Sequence, residues 1–77
     1  MKKTELPNCP QWLLDADTEN EDVRYDAKGR VEWLSGDFRG GDFLGGDFWG
    51  GNFRGGNFLS GDFRGNFLGG DFLGKRS

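Results

Sequence analysis

From residue 36 onward the aromatic and polar positions of this chain fall at a fixed interval. Phe38, Phe43, Phe48, Phe53, Phe58, Phe63, Phe67 and Phe72 stand five residues apart, with one four-residue step after Phe63. Each follows an Asp or Asn, and that residue follows a Gly, as in Gly36-Asp37-Phe38 and Gly51-Asn52-Phe53. The unit is Gly-[Asp/Asn]-Phe-x-[Gly/Ser], and Val31-Glu32-Trp33-Leu34-Ser35 fills the same slots one step earlier, which makes nine units. A helix repeats every 3.6 residues and a strand every 2, so a period of five requires a short strand and a corner in each unit. Within the strand Phe faces inward and the Asp or Asn beside it faces outward. The glycine pairs at the junctions, such as Gly40-Gly41, supply the corners, because glycine takes positive φ without a steric penalty.

The first thirty residues break this period and are expected to cap the repeat, whose first layer otherwise exposes apolar surface and strand edges. Asn8-Cys9-Pro10 ahead of Gln11-Trp12-Leu13-Leu14 predicts a short helix over 10–15. An acidic loop over 15–22 follows, and then a hairpin over 23–33 whose turn is Asp26-Ala27-Lys28-Gly29. The expected organisation is a cap at 1–30, the repeat at 31–74 and a tail at 75–77. Trp12, Leu13 and Leu14 are expected to cover one end of the repeat, while the tail offers the other end no comparable cover.

The run Gly-[Asp/Asn]-Phe over residues 31–74 resembles the pentapeptide-repeat family, with Gly in place of that family's usual small residue, Ala. The resemblance implies a mainly β fold: a right-handed quadrilateral β-helix with four units per coil, hence about two coils here. Four units per coil would stack residues about twenty apart. Trp33, Phe53 and Phe72 would then share a column, with Phe38 on Phe58, Phe43 on Phe63 and Phe48 on Phe67. Outside, Asp37 would lie over Asn57, Asp47 over Asn66 and Asn52 over Asp71, leaving Asp42 over Asp62 as the one repeated charge. Such alternation relieves repulsion at a strand spacing of about 4.8 Å and lets Asn hydrogen-bond along a column. Asp42 and Asp62 could equally form part of a binding face. Leu44, Trp49, Leu59, Leu68 and Leu73 follow their Phe residues and should point outward, with Trp49 over Leu68. That is a large apolar surface for a monomer, and it could dock the cap, a second copy or a target.

Composition narrows the function. The chain has 77 residues, one cysteine and no histidine. A chain this short is one domain, and a self-stacking repeat or a dimer suits it. Cys9 alone permits no internal disulfide and fits a reducing compartment. Without histidine there is no Ser-His or Cys-His pair and no imidazole metal site, and outward Asp residues lack the desolvation that tunes acid–base catalysts. A non-enzymatic protein with no cofactor and no bound metal is expected, soluble and cytoplasmic, since nothing reads as a membrane span or a signal-peptide core.

The net charge of −3 becomes −7 once Lys2, Lys3, Lys75 and Arg76 at the two ends are set aside. That disfavours nucleic acid as a direct partner and favours a basic protein. The densest acids are Asp15, Asp17, Glu19, Glu21 and Asp22, and with Asp42 and Asp62 they form the expected partner-binding set. Trp49, Leu59, Leu68 and Leu73 are the expected dimer or partner contacts, a homodimer forming through the C-terminal coil. The architecture is similar to that of acidic pentapeptide-repeat inhibitors of DNA gyrase, which present carboxylates where a DNA-binding protein expects phosphates. In style, though not in motif, the short acidic chain also looks like phage-encoded anti-CRISPR proteins that occupy the basic groove of an effector complex. The function expected is inhibition of DNA binding by a CRISPR effector in the host cytoplasm, with gyrase inhibition or a stacking assembly module as alternatives.

Overall fold

In a five-residue unit the strand can be no longer than the Asx-Phe pair before glycine turns the chain. The computed structural model describes the backbone of residues 1–76 and the side chains of residues 1–74, so Ser77 of the expected tail lies outside the described residues. Among them the chain forms a 3₁₀ turn at Lys3–Glu5, helix α1 (Gln11–Asp15) and the long strands β1 (Asp17–Tyr25) and β2 (Val31–Gly40). Eight two-residue strands follow: β3 (Asp42–Phe43), β4 (Asp47–Phe48), β5 (Asn52–Phe53), β6 (Asn57–Phe58), β7 (Asp62–Phe63), β8 (Asn66–Phe67), β9 (Asp71–Phe72) and β10 (Lys75–Arg76). The fold is mainly β, with parallel strands in a curled sheet. β1 and β2 pair antiparallel, and the ladders of the repeat are parallel.

The register is set at fifteen residues, three units, and not at twenty. Trp33 pairs with Phe48 and Phe48 with Phe63; Phe38 pairs with Phe53, and Phe43 with Phe58. The four-residue step after Phe63 shortens the next offsets without breaking the ladders, so Phe53 still meets Phe67 and Phe58 still meets Phe72. Three columns result, and the column assignments expected from a four-unit coil are overturned.

Within a column the rings stack: Phe38 on Phe53, Phe43 on Phe58 and Phe48 on Phe63 all have centroids 4.8 Å apart, with planes 6–12° from parallel. Between columns they meet edge to face, as for Phe48 with Phe53 at 5.9 Å and 81° and Phe53 with Phe58 at 5.8 Å and 85°. Both geometries suit the ring quadrupole. Phe38, Phe43, Phe48, Phe53 and Phe58 are wholly buried.

The glycine in the small slot explains the tighter turn. Gly51 has φ +89°, and a Cβ there would fall on the carbonyl oxygen of Gly36, one rung earlier. The corner backbones thus touch directly, no small side chain spaces the rings apart, and three large rings fill a layer.

The cap departs from expectation in its middle. Asp17–Asp22, expected in a loop, belong to β1, which runs along β2 from Asp17 opposite Gly40 to Tyr25 opposite Val31. The hairpin therefore spans far more than 23–33. Its register shifts near Asn20, which has φ 57°, where β1 follows the Gly36 corner of its partner; a bulge bends a strand in this way. At the turn, Asp26 Oδ1 accepts from the amides of Lys28 and Arg30, both at 2.8 Å, and Gly29 takes φ +82°.

Trp12 packs edge-on against Phe43 at 5.0 Å, Leu13 is fully buried and Leu14 stays 39% exposed. Cys9 is half-buried against the core, and burial raises its thiol pKa. At the far end, Lys75–Arg76 is not a tail: it takes the Asx-Phe slots of another rung and pairs with Asp62–Phe63.

Candidate functional site

Each rung places one polar side chain outside the core beside each ring, so the outer surface carries three polar columns. Asp37, Asn52 and Asn66 form one, and Asp42, Asn57 and Asp71 a second. Glu32, Asp47 and Asp62 form the third, which the backbone register continues to Lys75. In the first, Asn52 Nδ2 donates to Asp37 Oδ1 at 3.0 Å and Asn66 Nδ2 to Asn52 Oδ1 at 3.2 Å. Arg54 Nε adds an ion pair to Asp37 at 3.5 Å. In the second, Asn57 Nδ2 donates to Asp42 Oδ1 at 3.1 Å.

The third column has no amide. Its top carboxylate, Glu32, accepts from Arg24 Nε at 3.1 Å and from the Trp49 indole at 2.8 Å. Asp47, 5% exposed, stands between Glu32 and Asp62, and its ion pair is a long one, 3.9 Å to Arg30 Nη2. The same guanidinium is already engaged at Nε by Asp26 at 3.0 Å. The Arg30 amide, with the Lys28 amide and the guanidinium behind it, holds the Asp26 carboxyl below its ordinary range.

Beside this column the residue after each Phe of the neighbouring column is leucine. Leu44, Leu59 and Leu73 occupy that slot in three successive rungs, with the Leu59 and Leu73 amides donating to the Phe43 and Phe58 carbonyls at 2.9 and 2.8 Å. Leu44 and Leu73 are 45% and 70% exposed. A groove of about 740 Å³ runs between the two rows, lined by the leucines, by Asp47 and Asp62, by the glycines and Ser60 between them, and by Trp12 and Arg30.

The expected site residues divide between this groove and other surfaces. Asp62, Leu59 and Leu73 line the groove. Asp42 is not paired with Asp62: it lies in another column under Asn57, and Asp62's neighbour is Asp47. Trp49 does not lie over Leu68 but under Arg64, whose guanidinium carbon sits 4.8 Å from the indole centroid, a cation–π contact. Leu68, 60% exposed, follows Arg54 in a different column.

The acids at 15–22 sit on the cap, several of them engaged internally. Gln11 Nε2 donates to Asp15 at 2.8 Å, Arg39 Nη1 pairs with Glu19 at 2.9 Å, and Asp22 takes the N-terminal ammonium. Burial works against ionisation of Glu21, yet the Lys3 amide, its own amide and the Thr18 hydroxyl outweigh it and leave the carboxyl pKa lowered. Asp17, Glu19 and Asp22 are the exposed acids of β1.

Asp47 was missed as a site residue because the twenty-residue register put it beside Asn66, and Trp12 and Arg30 were missed with it. A legible signal existed in the slot after Phe, where Arg39 and Arg54, and Leu44 and Leu59, are identical fifteen residues apart. Among the described residues, no group of three or more His, Cys, Asp or Glu side chains could hold a metal ion, and no helix is long and apolar enough to cross a membrane. No protein-family model, no curated protein and no solved structure matches the chain.

Proposed function

We propose that the curled sheet is a short right-handed solenoid of the pentapeptide-repeat type, and that it is a non-enzymatic scaffold which inhibits a nucleic-acid-binding complex. The observation that carries this reading is the Glu32–Asp47–Asp62 column, one carboxylate per rung on a core of stacked rings. Carboxylates at a rung spacing of about 4.8 Å approach the rise of about 3.4 Å per phosphate along one DNA strand. A rigid surface also loses little entropy on binding. With Asp17 and Glu19 exposed on the cap, the surface suits the basic groove of a DNA-binding protein.

The longest dimension, 29 Å, is less than one helical turn of DNA, about 34 Å. That favours a confined groove, such as the one in which a CRISPR effector receives target DNA, over the long channel of gyrase. The protein is in this reading an anti-CRISPR inhibitor acting in the host cytoplasm. Titrating the purified protein into effector and labelled target DNA should abolish DNA binding, and the Asp17→Lys/Glu19→Lys variant should relieve the inhibition. Undiminished DNA binding by both an effector and gyrase at saturating protein would remove the inhibitor reading. The exposed Leu44, Leu68 and Leu73 favour a second reading, a module that stacks into a larger assembly; concentration-dependent sedimentation would support it.

A further inference from the structure

Two of the three polar columns carry an Asn amide that donates to an acid of the same column, and the third carries none. Asn amides link Asp37 to Asn52 and Asp42 to Asn57, whereas Asp47 is nine-tenths buried between two further carboxylates with a 3.9 Å ion pair as its counter-charge. A buried carboxylate so placed is costly until a well-aligned cation reaches it. Beside it lies the leucine row, separated from it by Gly45, Gly46, Ser60 and Gly61, so the floor of the groove is backbone with one small side chain.

We propose that this groove is the docking site for an extended segment of a partner protein in which arginine alternates with aliphatic residues. In an extended chain successive side chains point to opposite sides, which sends arginine to the Asp47–Asp62 wall and the aliphatic side chains to Leu44, Leu59 and Leu73. Charge complementarity selects the occupant. Two carboxylates one rung apart match the planar fork of a guanidinium better than the point charge of lysine, and the acidic wall repels a like-charged segment. The three leucine rungs span about 10 Å, enough for three or four extended residues. The inference rests on the protein-binding reading above but not on the identity of the target.

Its test is a titration of the uniformly ¹⁵N-labelled full chain with the capped peptide Leu-Arg-Leu-Arg-Leu, followed by amide chemical shifts. Saturable shifts are expected at Gly45, Gly46, Asp47, Leu59 and Gly61. Replacing arginine by glutamate in the peptide should abolish them, and replacing arginine by lysine should weaken binding severalfold. The Asp47→Asn/Asp62→Asn variant, whose fold is checked by its aromatic circular dichroism, should bind at least tenfold more weakly. Absent shifts, shifts confined to the β1 acids, or binding unchanged in the double variant would overturn the proposal. So would groove shifts that grow with protein concentration in the absence of peptide, because the occupant would then be a second copy. The effector assay is read separately: peptide binding without inhibition defeats the inhibitor reading and leaves the groove standing, while inhibition without peptide binding does the reverse.

Discussion

The Asp37–Asn52–Asn66 column and the Glu32–Asp47–Asp62 column are built on the same repeat, around the same stacked rings, yet they treat charge in opposite ways. In the first, each amide donates along the column and an arginine reaches its acid. In the second, acid stands over acid and the middle one is buried. The unit accepts Asn or Asp at this slot, so the acidic column is not forced by the fold. One column is linked by amides, and the other stacks carboxylate on carboxylate beside an exposed apolar row, as a binding surface does.

The largest expected effect is one that both columns share. Phe48→Ala removes a ring stacked on Trp33 and Phe63 and edge-on to Phe43 and Phe53. It should cost about 3–5 kcal/mol, whereas Phe72→Ala, at a half-buried position, should cost clearly less in the same urea melts. Next, Asn52→Asp would turn the satisfied column into a copy of the acidic one. Losing the amide that serves Asp37 should destabilise by about 1 kcal/mol, more at low salt than at high. The mirror change, Asp47→Asn, gives the acidic column an amide and should stabilise by about 0.5–1.5 kcal/mol, the lost 3.9 Å pair with exposed Arg30 being worth little.

The smallest effect separates the cap from both columns. Asp26 and Glu21 have folded pKa values below their ordinary 3.8 and 4.5. Both are ionised and partnered above those values, so the stability they contribute is full there and is lost as pH falls through the lowered folded values. Melts from pH 6 downward should show this loss, and Asp26→Asn should reduce it; a loss that begins well above pH 5 would point to other groups.

Much of the repeat could be read directly: Phe inward, Asp or Asn outward, and glycine at the corners. The coil size could not, because two signals conflict. Charge alternation in the Asx slot favours a twenty-residue register, while identity in the following slot, Arg39 with Arg54 and Leu44 with Leu59, favours fifteen. Ring packing decides between them, and packing density is a property of three dimensions. The acidic cap strand was illegible for a related reason. Asp17–Asp22 carries no alternating apolar pattern, and it is a strand because β2 offers its edge. The groove followed the register, so its acidic wall was out of reach while Leu59, Leu73 and Asp62 were already in view.

The most direct test is a comparison of urea midpoints for Asp47→Asn and Asn52→Asp under identical conditions. The fifteen-residue columns predict shifts of opposite sign, Asp47→Asn upward and Asn52→Asp downward. A twenty-residue register would set the amide introduced by Asp47→Asn over Asn66 and remove a favourable pair, so a downward shift for both variants would contradict the three-column account.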